Sequence, residues 1–135
     1  MKRVFIDLAR EHLARGLPLT LEAEGHSMWP LIQHGERITV QPPLPPQLGD
    51  LVLVDLHDRL VLHRVIAITR THITTKGDAV PYPDPPIAPT AILGVLARTA
   101  PRFNRACAFV SALAPRPLAQ LLQRLRRVVG SAPCA

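Results

Sequence analysis

The segment DLVLVDLHDRLVLHRVIAIT, Asp50 to Thr69, reads as two apolar-rich runs, Asp50–Leu56 and Arg59–Thr69, separated by His57-Asp58. Period-two runs bounded by turn residues signal β-strands, and so short a connection predicts that the two strands pair antiparallel. Working outward, the same period recurs upstream, where Leu19, Leu21 and Ala23 alternate with Thr20, Glu22 and Glu24, and again at Arg37–Gln41. Downstream it returns at His72–Thr75, and Ile92–Arg98 is placed to close the set. Gly35-Glu36, the prolines before Gly49-Asp50, Gly77-Asp78 and the Pro81–Pro89 stretch supply the turns. The expected fold is mainly β: a small coiled antiparallel barrel that hides its edges by closing on itself.

Both ends read as helix. Over Arg3–Arg15 the residues Val4, Phe5, Leu8 and His12 share one face, and Gly16 and Pro18 stop the run. After Pro117, Leu118, Leu121, Leu122, Leu125, Val128 and Val129 share another face, and Arg124, Arg126 and Arg127 cover the rest. The second stripe fits three settings: its own domain, a membrane interface or a partner helix. The division expected is an N-terminal helix over 1–17, a β domain over 18–98 and a basic amphipathic tail over 99–135.

A chain of 135 residues, 47% of them hydrophobic, suffices for one domain with a real core. Its net charge of +6 is unevenly distributed, since residues 1–84 hold 9 Lys/Arg against 10 Asp/Glu and residues 85–135 hold 7 Arg and no acid. The basicity therefore belongs to the tail. Cys107 and Cys134 lack the spacing of a metal knuckle or redox pair, so free thiols in a reducing compartment are expected. The six histidines form no close ligand pair on one helix, and neither metal nor other cofactor is expected. Asp7, Arg10, Glu11 and Arg15 interrupt the N-terminal apolar residues, which excludes a secretion signal. No window is apolar enough to span a bilayer, because Pro115, Arg116 and Pro117 cut the best one. The expected location is the cytoplasm, with the tail offering peripheral contact to a membrane.

Chemistry concentrates at Gly25-His26-Ser27-Met28-Trp29-Pro30, where a strand ends in a glycine-permitted turn with a serine at its apex. A serine hydroxyl is inert without a base, so this segment means little by itself. It is followed in order by Gly35-Glu36, Gly49-Asp50-Leu51-Val52, His63-Arg64-Val65, Lys76-Gly77-Asp78 and Ile92-Leu93-Gly94. The four fixed positions Gly25, Ser27, Met28 and Pro30 alone recur by chance in roughly one window per 10⁵–10⁶.

This series resembles the signal peptidases and the wider superfamily they share with LexA-type repressors, over roughly Leu19–Leu96. The resemblance implies a serine endopeptidase with Ser27 as nucleophile. The bacterial enzymes and the repressors place a lysine base where this chain has His63, which is instead similar to the endoplasmic-reticulum-type branch, whose enzymes use a Ser/His/Asp set. An imidazole titrates near neutrality and can accept a serine proton without the desolvation that a lysine base requires. Two carboxylates follow the Lys-Gly pair, Asp78 and Asp84; the pattern of that branch favours Asp84 as the group orienting His63 and leaves Asp78 to the turn or to support of the site. Met28, Trp29 and Pro30 are expected to shape the substrate cleft. The backbone N–H of Ser27 would meet the oxyanion, and Gly25 stands where many signal peptidases carry a hydroxyl donor.

The resemblance also implies an extended peptide or leader substrate with small residues before the cut. A second reading keeps the fold without strong catalysis, as a regulatory or binding module whose basic tail contacts nucleic acid, membrane or a protein partner, with a homodimer suggested by the LexA-type proteins. Nucleic acid is disfavoured, because the segment before the β-body leaves no room for a helix-turn-helix.

Overall fold

The computed structural model describes residues 2–96. One helix, α1 (Lys2–Ala14), precedes six strands: β1 (Leu19–Glu22), β2 (Arg37–Gln41), β3 (Leu51–Asp55), β4 (Leu60–Ile68), β5 (Ile73–Lys76) and β6 (Ile92–Leu96). All pairings are antiparallel and the strand order is β1-β2-β6-β3-β4-β5. The fold is thus mainly β with a short N-terminal helix, as the period-two runs indicated.

The β3–β4 pair forms as a two-residue hairpin. Leu56 and Arg59 exchange both backbone hydrogen bonds, and His57 and Asp58 take φ of 49° and 63°. Positive φ at both central positions matches the right-handed twist of the flanking strands, and the N–H of Asp58 donates to Asp55 Oδ1 within the turn.

Alternation along β3 divides the interior in two. Leu51 and Leu53 point to one face, where they meet Ile38, Val40 and Leu93 and the helix residues Ile6, Ala9 and Leu13. Val52 and Val54 point to the other, where they join Val65, Ile73, Ile92 and Val95. Because β5 and β6 lie on opposite sides of the β3–β4 pair yet share this second cluster, the sheet must coil. Register shifts at Leu53/Val54 and Val65/Ala67 supply the bend.

The expected closure into a barrel is corrected: among the described residues β1 and β5 remain the two edges of an open sheet. The backbone of β5 is covered by other means. Ile73 exchanges hydrogen bonds of 2.8 and 2.9 Å with Ile87, and the Asp84 N–H donates to the Thr75 carbonyl at 2.8 Å, so the proline-rich loop lies along β5. The helix α1 packs on the face of the sheet that bears Leu51 and Leu53, against β1 and β6.

The helix is present, but it buries a different face from the one expected. Ile6, Ala9 and Leu13 are buried, while Val4, Phe5 and Leu8 are 62%, 50% and 59% exposed. Both sets have helical spacing, and only the packing partner decides between them. The C-terminal helix expected after Pro117, both cysteines and the 99–135 tail lie outside the described residues. Among the described residues no helix is long and apolar enough to cross a membrane.

Candidate active site

β1 ends at Glu22, and Gly25, at φ +77°, turns the chain into the segment that carries Ser27. That φ lies in the left-handed region, where a side chain is penalised, so the position suits glycine. The turn has its own fastenings: the Gly25 N–H donates to His34 Nδ1 at 3.0 Å, Trp29 N–H to the His26 carbonyl at 3.1 Å and Ile32 N–H to the Met28 carbonyl at 3.0 Å.

His63 lies on β4 opposite Val52 of β3, buried at 7% exposure. Its Nε2 is 3.1 Å from Ser27 Oγ and its Nδ1 is 2.5 Å from Asp84 Oδ2. A carboxylate can only accept, so Nδ1 carries the imidazole proton and Nε2 presents its lone pair to the serine hydroxyl. The series carboxylate, imidazole, hydroxyl is the arrangement that draws a proton from an alcohol. Asp84 Oδ2 also accepts from Thr75 Oγ at 2.7 Å.

Asp78 is engaged elsewhere. Arg64, next to His63 on β4 and 3% exposed, donates Nε to Asp78 Oδ1 at 2.8 Å and Nη2 to Oδ2 at 2.7 Å. Its Nη1 reaches the Gly49 carbonyl at 3.0 Å. This fork ties the turn after β5 to the neighbouring strand β4 and, through Gly49, to the start of β3. Of the two carboxylates left open by the sequence, Asp84 is the one on the imidazole.

The same turn carries the serine segment. Ala79 N–H donates to the Ser27 carbonyl at 2.8 Å, and the Asp78 N–H to Met28 Sδ at 3.4 Å. A Cβ on Gly77 would stand 2.8 Å from the Ser27 carbonyl oxygen and 2.9 Å from Ser27 Cβ, which only glycine avoids. Lys76, also 3% exposed, donates to the Gly77 carbonyl at 3.4 Å. Burial lowers its affinity for the proton, against the pull of Asp78 and Asp84.

Of the three residues expected to shape the cleft, Met28 instead fills the core, 4% exposed, in the same cluster as Ile6, Ala9 and Leu13. Trp29 is half-buried and Pro30 exposed, joined by a cis peptide bond. The Ser27 N–H makes no hydrogen bond to another described residue. Among the described residues no group of three or more His, Cys, Asp or Glu is placed to hold a metal ion.

Sequence reasoning placed Gly77 in the turn and the motif series without its contact to Ser27, and missed His34, Thr75 and Ala79. Thr75 alone carried a signal, as a polar residue within a strand adjoining the Lys-Gly-Asp turn. Comparison with known families finds that the one described as Peptidase S24-like matches residues 6–97. No curated protein and no solved structure matches the chain.

Proposed function

The chain belongs to the Peptidase S24-like family, and so to the LexA and signal-peptidase superfamily of serine peptidases; on that premise we propose that it is a serine endopeptidase using Ser27, His63 and Asp84. The carrying observation is the continuous pair of contacts, Ser27 Oγ to His63 Nε2 at 3.1 Å and His63 Nδ1 to Asp84 Oδ2 at 2.5 Å. In this reading Ser27 Oγ attacks the scissile carbonyl carbon as Nε2 takes its proton, and the Asp84 carboxylate stabilises the imidazolium that forms. His63 then gives the proton to the leaving amine. Water, deprotonated by His63, cleaves the ester on Ser27 and restores the hydroxyl. The Ser27 N–H is the donor for the tetrahedral oxyanion, a role that needs no side chain at position 25.

Histidine at the base position is similar to the endoplasmic-reticulum-type branch and supports assignment to a Ser/His/Asp mechanism over a Ser/Lys one. By the same likeness the substrate is an extended leader or other peptide with small residues before the cut. The test is cleavage of a library of such peptides by the full chain, with Ser27→Ala and His63→Ala alongside. Turnover by the wild type that both substitutions abolish is the expected result. A folded wild type without turnover on any extended peptide would sink the proposal and favour the regulatory module with its arginine-rich tail.

A further inference from the structure

We propose that Thr75 is a positioning residue for the Ser27–His63–Asp84 set, holding the Asp84 carboxylate in register with the imidazole; the inference rests on the endopeptidase reading. Asp84 lies in no strand or helix but on the loop after β5. An aspartate on such a loop has two freedoms to lose, the place of its backbone and the rotation of its carboxylate. Thr75 removes both. Its carbonyl accepts the Asp84 N–H at 2.8 Å, and its hydroxyl donates to Oδ2 at 2.7 Å, the same oxygen that receives His63 Nδ1.

The clamp is anchored on the strand that bears the base. Thr75 pairs with Val65 in the β4–β5 register, two residues beyond His63. The spacing between Asp84 and His63 is thereby set through adjacent strands and not by the loop alone. Ile73, on the same face of β5, holds the loop a second time through its pair of bonds with Ile87. Thr75 is fully buried, so its hydroxyl has no water to fall back on, and a β-branched side chain in a strand has few rotamers to choose among. Serine would keep the donor and lose the stiffness. Valine would keep the shape and lose the donor.

The proposal separates these roles. With the full chain, Thr75→Val is expected to lower kcat about tenfold with KM little changed, as fits loss of one hydrogen bond to a charged group that matters most when the imidazolium forms. Thr75→Ser is expected to recover most of that loss. In the proton NMR spectrum, the far-downfield resonance of the His63 Nδ1 proton is expected in wild type and Thr75→Ser, and shifted or exchange-broadened in Thr75→Val. Thr75→Val with unchanged kcat and an unmoved resonance would overturn the proposal. So would Thr75→Ser impaired as much as Thr75→Val, which would mean that packing is what counts. A Ser27→Ala control that still cleaves would instead overturn the endopeptidase reading, and the resonance would still report on Thr75.

Discussion

The carbonyl oxygen of Ser27 is held by the N–H of Ala79 at 2.8 Å, so the turn bearing the hydroxyl and the turn following β5 are one unit. Arg64 fastens the second turn through Asp78, two residues after Lys76, and thereby indirectly fastens the first. Placement of Ser27 against His63 depends on contacts made by its neighbours' backbone as much as on the side chains themselves.

Gly77→Ala tests this unit. The added methyl would have to push the Ser27 backbone away, because two of its nearest atoms, at 2.8 and 2.9 Å, belong to Ser27 and the third is Val80 Cγ2. Displacement of a reacting group by about 1 Å costs roughly 10²-fold in rate. Turnover should fall by about that factor while circular dichroism stays native. Undiminished turnover would mean that the two turns are not rigidly joined.

Asp84→Asn should cost on the order of 10³–10⁴ in kcat, since an amide in place of the carboxylate no longer fixes the Nδ1 proton or stabilises an imidazolium. Asp78→Asn should leave the imidazole its partner and act mainly on stability. Peptide cleavage by the two variants side by side checks the division of labour, and equal losses of kcat would refute it.

The Arg64–Asp78 pair should show strong coupling. Removing one member of a buried pair strands the other, at a cost of about 3 kcal/mol, whereas apolar replacement of both avoids the stranded charge. Urea unfolding of Asp78→Leu, Arg64→Met and the double variant should give a double loss well below the sum of the singles. Simple additivity would argue that the fork contributes nothing.

Lys76 makes stability depend on pH in a defined direction. Burial holds its ammonium below the ordinary 10.5 in the folded protein. Under the lowered folded value both states are protonated and the folded one bears the full burial cost. As pH rises from there toward 10.5 the folded state releases its proton first, the cost disappears and stability increases. The urea midpoint of wild type should therefore lie further below that of Lys76→Met at about pH 8 than at about pH 10, the gap narrowing as pH rises. A constant gap would remove Lys76 as the cause.

The strands were legible in the sequence because alternation in β3 and β4 is a local property, and the His57-Asp58 turn lay where the two runs meet. The burying face of α1 was not, since Val4, Phe5 and Leu8 repeat as regularly as Ile6, Ala9 and Leu13, and the choice belongs to the sheet beneath. Nor was the open edge, because what covers β5 is a loop reached only in three dimensions. Ser27 and His63 stand 36 positions apart and could be singled out only by the motif series around them. Thr75, Gly77 and Ala79 support them through a buried hydroxyl, an absent Cβ and a backbone N–H; Gly77 was legible as a turn residue of the motif series, whereas a backbone N–H such as that of Ala79 leaves no chemical mark on the sequence.

The loop along β5 has one more consequence. The bonds that Ile87 and Asp84 make to Ile73 and Thr75 occupy a row of backbone donors and acceptors that would otherwise be open to a strand from another molecule. The carboxylate of the candidate site is therefore carried by the same segment that keeps this edge from templating aggregation. A lesion that frees the loop should cost the protein its solubility together with its chemistry, so variants defective at Asp84 through loop release would differ visibly from Asp84→Asn: they would self-associate.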